Sequence, residues 1–450
     1  MSGWTAERVR AALALPAGGA STEFTRVLTD TRAIGPGALF VALEGERFDG
    51  HHYLDAAQAA GAAGAVVRTG TRVPPGLFTF EVPDTLRAFG LLARARRRAL
   101  VGPVVAVTGT NGKTSTKEMM AAVLATRYRV YATRANLNNL VGVPLTILEA
   151  PDDTEALVIE AGANLPGEIG RCRDIIEPTL AIVTNAVAGH LEGFGSLAGV
   201  VEEKLSLTEG APLAVVGTDP PELAQGARGR TRAVVTAGLA YADVMPDRVE
   251  LGDDARPVMT FGDLSFTLAA RGLHQADNAA RVWAVVEALG LDRDASARAL
   301  ERFALPGGRG ELLEVGGLTI LNDSYNANPQ SFRAAIATAR ALRSGRRLVF
   351  IAGTMRELGG ESGALHAEIA AALVELEPDL LAAVGEFVPA LERHAARLGG
   401  RLLTAVDPIE LAPLVASRLR GGEVVVLKAS RGVALERILP ALTARGNPPR

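Results

Sequence analysis

The stretch from Val104 to Leu124, VVAVTGTNGKTSTKEMMAAVL, constrains this chain more than any other. Its first residues read as a buried strand. Its last twelve read as a helix, apolar at Met119, Met120, Val123 and Leu124. Between them lies a glycine turn. That order aims backbone N–H groups and the positive end of a helix dipole at an anion. Gly109 and Gly112 let the backbone approach a ligand where a Cβ would obstruct it. Gly109, Thr110, Asn111, Gly112, Lys113, Thr114 and Ser115 therefore form a candidate phosphate loop. Lys113 is expected on the β- and γ-phosphates of a nucleotide, and the Thr114 hydroxyl on Mg²⁺. The common G-x-x-x-x-G-K-[ST] spacing is not kept, because Val107 stands five residues before Gly112.

The rest of the chain repeats the alternation. EALVIEAG and LAIVTN are further apolar strands with helical sequence between them. Such alternation predicts a parallel, doubly wound sheet. The first of these strands ends in an acid, Glu160, as does the strand that holds Mg²⁺ beside a phosphate loop. VMTFGDLSFTLAARG suggests antiparallel strands, and HQADNAARVWAVVEALG a helix. After LPGGRG the pattern restarts with LTILNDS, RRLVFIAG, LLAAVG and EVVVLKAS. The chain thus reads as an α/β protein of three domains. Residues 1–100 form a small α/β unit, 101–304 a central nucleotide-binding domain, and 305–450 a Rossmann-like domain without the G-x-G-x-x-G fingerprint. The length of 450 residues suits three domains.

A net charge of −3 gives no reason to expect a polyanionic partner. A single cysteine, Cys172, rules out an internal disulfide and suits a reducing cytoplasm. The N-terminal segment MSGWTAERVRAALALP reads as an amphipathic helix rather than a signal peptide. No apolar run is long enough to span a membrane.

The cations are lopsided. Of 47 basic residues only four are lysines: Lys113, Lys117, Lys204 and Lys428. A lysine is a compact point charge and, unlike arginine, can lose its proton and react. Each of the four calls for a reason. From its neighbours alone, Lys204 in VVEEKLSL reads as a helix-surface lysine paired with a glutamate. Its scarcity argues for a function.

Several further motifs share the chain with TGTNGKTS: NLNNLVGVPLT, HLEGFGSLAGV, GLHQADNAA, PGGRGE, DSYNANPQSF, ELGGES and KASRG. In this order the chain resembles the Mur ligase family over nearly its whole length. The opening DTRAIGPGALFVALEGERFDGH is similar to the family's uridine-binding domain. Within the family, SYNANP and the lack of a D-N-P-[RK] motif resemble the members that take a dipeptide rather than a single amino acid.

The resemblance implies ATP- and Mg²⁺-dependent joining of D-alanyl-D-alanine to UDP-N-acetylmuramoyl-tripeptide through an acyl phosphate. This is a cytoplasmic step of peptidoglycan synthesis, and a monomeric enzyme is expected. Residues 1–100 would bind the UDP sugar, with Thr31 and Arg32 touching the UDP moiety. Residues 305–450 would carry the incoming dipeptide. Lys204 falls where the family has a carbamylated lysine, an anionic oxygen ligand for a second Mg²⁺. His190 and Glu160 would hold the same ion. Asn278 would contact adenine, with His274 nearby, while Arg309 would reach phosphate and Asp323 ribose. Lys428 would face the phosphates from the C-terminal domain. Asn138 and Asn139 would lie between the γ-phosphate and the acceptor carboxylate. Tyr325, Asn326 and Asn328 would border the dipeptide pocket, although Asn also serves simply as turn chemistry. Lys117 is expected at the surface or behind the site, with no catalytic role.

Two positions depart from the family pattern: Thr354 where an Asp is usual, and Gly189 where Ala is usual. PGGRGE also has one residue more than the P-G-R form. A ligase of the single-amino-acid or folylpolyglutamate-synthase type remains the nearest alternative. A non-catalytic sensor of UDP-muramyl peptides is another.

Overall fold

The computed structural model describes residues 3–443 apart from 20, 46–47 and 188–190. The N-terminal segment forms α1 (Ala6–Ala12), which buries Ala6 and Val9. A four-stranded parallel sheet follows, with spatial order β1 (Val27–Leu28), β2 (Ala38–Val41), β3 (Ala62–Arg68), β4 (Phe78–Val82). The Ala-rich α2 (Leu54–Ala59) connects β2 to β3. Helix α3 (Thr85–Arg97) covers one face of this sheet. There Phe89 and Leu92 pack with Phe24, Val66 and Phe80.

The run RARRRALVGP reads as a helix end and a linker, and α3 does end within it. Its arginines also fasten the N-terminal unit to the next one. Arg97 donates to the carbonyls of Ile176 and Glu177 at 2.7 Å each. Arg94 and Arg98 both reach the Glu177 carboxylate at 2.7 Å. Hydrogen bonds from Arg98 are the main cause that holds the Glu177 pKa down at about 2, against a usual 4.5. A lowered carboxylate pKa stabilises the fold fully above about pH 4.5, and that contribution is lost as pH falls through 2. Glu177→Ala should therefore lower stability by about 1–2 kcal/mol at pH 7. In denaturant melts the difference should shrink at pH 2.5. An equal effect at both pH values would remove the ion pairs from the account.

The central sheet contains β5 (Val104–Thr108), β6 (Val130–Ala132), β7 (Ala156–Glu160), β8 (Leu180–Val183), β9 (Leu213–Val216) and β10 (Ala233–Thr236). Its order is β6-β7-β5-β8-β9-β10 and every pair is parallel. The strands are apolar on both faces because helices cover both. Along β5, Val105 and Val107 pack with Met119, Met120 and Trp283, while Val104 and Ala106 pack with Ile147 and Cys172. The main helices are α4 (Lys113–Leu124), α5 (Gly142–Glu149), α6 (Glu168–Ile176), α7 (Leu197–Leu205), α8 (Leu273–Ala288) and α9 (Arg293–Arg302). An antiparallel ribbon of β11 (Arg248–Leu251), β12 (Pro257–Phe261) and β13 (Leu264–Thr267) stacks Phe261 and Phe266 on Trp283 of α8.

The last sheet is mixed. Its strands are β14 (Glu311–Val315), β15 (Leu318–Asp323), β16 (Leu348–Ala352), β17 (Leu380–Val384), β18 (Leu402–Ala405) and β19 (Val424–Lys428). The order is β14-β15-β19-β16-β17-β18, with only β14 antiparallel to its neighbour. Helix α10 (Pro329–Arg343) follows β15 and packs Phe332 on Phe350. Among the described residues no helix is long and apolar enough to cross a membrane.

The sheets place the chemistry. Strand β5 lies between β7 and β8, where successive connections leave on opposite sides, and ligands bind at the carboxyl ends of strands at such a switch point. Asp323 and Lys428 end β15 and β19 of the last sheet in the same way.

Candidate active site

The turn after β5 takes a backbone that only glycine adopts without strain. Gly109 has φ 147° and Gly112 φ 79°. A Cβ on Gly109 would lie 1.9 Å from Thr184 Oγ1, and one on Gly112 would lie 2.3 Å from Asn278 Oδ1. The turn is clamped from behind. Thr110 N–H donates to the Asn185 carbonyl at 3.0 Å and Asn111 N–H to Asn185 Oδ1 at 2.9 Å. Thr184 Oγ1 donates to the Asn111 carbonyl at 2.6 Å. Gly112 caps α4 with no side chain, so no cap competes for the amides of the first turn. Lys113 Nζ reaches the loop's own carbonyls, Gly109 O at 2.7 Å and Thr110 O at 3.0 Å.

Beside the loop, Thr114 Oγ1 donates to Glu160 Oε2 at 2.9 Å and Asn138 Nδ2 to Glu160 Oε1 at 2.8 Å. Glu160 is buried. A hydroxyl and a carboxylate next to a phosphate loop are the hard oxygen donors that Mg²⁺ takes. Among the described residues no three His, Cys, Asp or Glu side chains converge on a metal-sized point. Asn139 Oδ1 accepts from the N–H of Gly142, the first residue of α5, at 2.8 Å.

A cavity of about 410 Å³ opens over the loop. Its lining joins the loop, Asn138, Asn139 and Glu160 to Asp323 and Lys428 of the last sheet and to Arg309, Tyr325 and Asn326 beside it. Lys428 is buried, and its Nζ donates to Asp323 Oδ2 at 2.6 Å and to the Asn326 carbonyl at 2.7 Å. The Arg309 guanidinium lies 3.9 Å from the centre of the Tyr325 ring. Asn278 and His274 also line it, and Asn278 donates to Gln275 at 3.2 Å.

Other expected residues stand elsewhere. Asn328 is absent from the lining. It caps α10 by accepting from Ser331 N–H and forms a reciprocal amide pair with Asn111, its Nδ2 donating to Asn111 Oδ1 at 2.6 Å. Thr31 and Arg32 form a 3₁₀ turn away from the cavity, where Arg32 is exposed and bidentate on Asp30. His190 and Gly189 lie outside the described residues. Thr354 accepts from Glu386 N–H at 3.0 Å.

Two lysines depart from a surface reading. Lys204 is 1% exposed, with Nζ 5.3 Å from the centre of the Phe194 ring. Its neighbouring glutamates are engaged elsewhere: Glu202 pairs with Arg230, and Glu203 accepts from Gly167 and Ile169 N–H. Burial, and secondarily the Lys113 charge, push the Lys204 pKa down from 10.5 to about 7. Lys117 is also buried rather than at the surface, because its helix face turns toward Thr133.

The sequence reading missed Asn185, Thr184 and Gln330. Gln330 Oε1 accepts from Asn111 Nδ2 at 2.7 Å, and its Nε2 donates to Asp219 at 2.8 Å. Together with Asn328 it ties α10 to the phosphate loop.

Comparison with known proteins matches three family models along the chain. They are the Mur ligase family catalytic domain over residues 23–141, the Mur ligase middle domain over 107–286, and the Mur ligase glutamate ligase domain over 308–431. The UDP-N-acetylmuramoyl-tripeptide–D-alanyl-D-alanine ligase of Bacillus subtilis (strain 168) is 33% identical over 446 residues, covering 97% of each chain. A crystal structure of MurF from Acinetobacter baumannii superposes with a TM-score of 0.86 at 29% identity, covering 98% of this chain and 99% of that one. MurF from Thermotoga maritima in complex with ADP superposes with a TM-score of 0.82 at 28% identity, covering 94% and 97%.

Proposed function

The chain belongs to the Mur ligase family, and from that membership we propose that it joins D-alanyl-D-alanine to UDP-N-acetylmuramoyl-tripeptide at the expense of ATP. The observation that carries this reading is the single cavity in which the phosphate loop and Glu160 face Lys428 and Asp323 of another sheet. A nucleotide on the loop would meet an acceptor brought by the neighbouring domains. Residues 1–100 hold the UDP sugar, through Thr31 and Arg32. Residues 101–304 hold ATP, and 305–450 present the dipeptide near Tyr325 and Asn326, while Asn328 ties α10 to the phosphate loop.

A carboxylate is a poor electrophile, so the tripeptide's terminal carboxylate first takes the γ-phosphoryl group of ATP. Two anions must meet, and positive charge fixed in advance lowers that barrier. Lys113 sits at the loop where the β- and γ-phosphates bind, and Lys428 approaches from the facing sheet. The dipeptide amine then attacks the acyl phosphate, a tetrahedral intermediate forms, and phosphate leaves. Asn138 and Asn139 orient the acceptor beside the loop. Asn278 holds the adenine, Arg309 a phosphate and Asp323 the ribose.

Mg²⁺ would supply charge neutralisation between the two anions, held by Thr114 and Glu160, with Glu160, His190 and a carbamylated Lys204 at a second ion. Carbamylation adds CO₂ to a neutral amine and releases one proton, which needs an amine that is uncharged near neutrality. The buried Lys204, with its pKa near 7, meets that need.

A phosphate-release assay tests the reading. Release should require ATP, UDP-N-acetylmuramoyl-tripeptide and D-alanyl-D-alanine together. Release with a single amino acid would reassign the substrate, and no release with any combination would favour a sensor.

A further inference from the structure

Three of the four lysines have a place in the proposed chemistry, and Lys117 does not. It stands one helical turn beyond Lys113 on α4, yet its side chain is only 2% exposed. A buried ammonium is costly unless its protons find acceptors. Lys117 Nζ donates to Glu118 Oε1 at 2.5 Å and to the Thr133 carbonyl at 2.8 Å.

Thr133 is the informative partner. Strand β6 leaves its ladder with β7 after Ala132 paired with Val158. The next ladder amide on β7, that of Glu160, would have no strand partner on this side. The Thr133 hydroxyl takes its place and accepts from Glu160 N–H at 3.0 Å. Thr133 N–H meanwhile holds the Val158 carbonyl at 3.0 Å. Thr133 is itself buried. A continuous path therefore runs from the Lys117 ammonium through Thr133 to the backbone of Glu160, whose carboxylate meets Thr114.

We infer that Lys117 is a positioning residue for the cation site, fixing the Glu160 carboxylate through Thr133. The ammonium pins the carbonyl of a residue that has just left the sheet, and the pinned residue turns its hydroxyl to the Glu160 amide. A compact ammonium fits this pocket between helix and strand, whereas a guanidinium fork is larger and planar. Partners behind a metal ligand commonly change metal affinity by about 10–100-fold when removed.

The inference rests on Glu160 as the Mg²⁺ ligand, and the test separates the two. Binding of a non-hydrolysable ATP analogue is measured by calorimetry with and without Mg²⁺, so no turnover enters. Glu160→Gln should abolish the gain in affinity that Mg²⁺ confers. Lys117→Met should raise the Mg²⁺ concentration needed for half of that gain by roughly 10-fold, with metal-free binding unchanged. Thr133→Val keeps the carbonyl that Lys117 uses and removes only the hydroxyl. It should give a similar shift and keeps the test open should Lys117→Met fold poorly. The double variant should be no worse than the more affected single one, because both act along one path. A Mg²⁺ requirement unchanged in both single variants, with Glu160→Gln inactive toward Mg²⁺, would overturn the role of Lys117. A Mg²⁺ gain that survives Glu160→Gln would overturn the ligand assignment and this inference with it.

Discussion

Lys204→Arg is expected to lower ligation turnover by more than about 100-fold, a loss comparable with removal of one preorganised charge-stabilising group. Arginine keeps the positive charge, but it does not lose its proton at neutral pH and does not take up CO₂. If a plain cation were wanted at this place, arginine would serve. The chain uses arginine for 43 of its 47 basic residues, so lysine here is not a compositional accident. Lys204→Ala should be inactive and partly rescued by acetate or propionate, whose carboxylates replace the missing one. Carbon-13 NMR of protein equilibrated with labelled bicarbonate should show a carbamate signal in the parent protein and none in Lys204→Arg. Below a pKa of about 7 the amine is protonated and closed to CO₂, and above it the amine is neutral. The signal should therefore grow as pH rises through 7. Full turnover in the arginine variant would remove the carbamate from the mechanism.

The burial behind this prediction could not be read from the sequence. VVEEKLSL offers two glutamates beside the lysine, and an exposed ion pair is the ordinary outcome of such a segment. The fold spends both glutamates otherwise. Glu203 caps the backbone at Gly167 and Ile169, contacts 36 and 34 residues away along the chain. What was legible is what repeats locally. Strand β5, its glycine turn and α4 announce themselves by apolar run, glycine and helical spacing. Glu160 was visible as the acid that ends an apolar strand. The cores of the three sheets follow from the continuous apolar runs that strands buried on both faces carry on their own. The clasp of Asn111 with Asn328 and Gln330 was not legible, because its partners are 217 and 219 residues apart. Asparagine in a turn looks the same whether it caps a helix or holds a facing domain. Asn328 does both. Short strand β6 was missed because three residues, each only partly buried, give no clear period.

Lys113→Met should be the most damaging change at the nucleotide, lowering turnover on the order of 10³-fold, as when one preorganised charge at a developing anion is lost. Its ammonium now rests on the carbonyls of Gly109 and Thr110, inside the arc of the loop, so a phosphate there would meet a charge already in place. Methionine fills the volume and removes only the charge, so melting temperature should change little. Lys428→Met should lower turnover less, by roughly 100-fold, and through a second route. Lys428 neutralises Asp323 at 2.6 Å, and without it that carboxylate stands uncompensated in a cavity meant for a polyanion. Breaking such a pair from one side costs more than removing both partners. Lys428→Met with Asp323→Asn should thus bind ADP more tightly than Lys428→Met alone, as read by calorimetry. Lys113→Met should show no such recovery, because its ammonium pairs with loop carbonyls that stay neutral when it is gone. Equal ADP affinity in the single and double variants at position 428 would mean that Asp323 does not act on the nucleotide through charge.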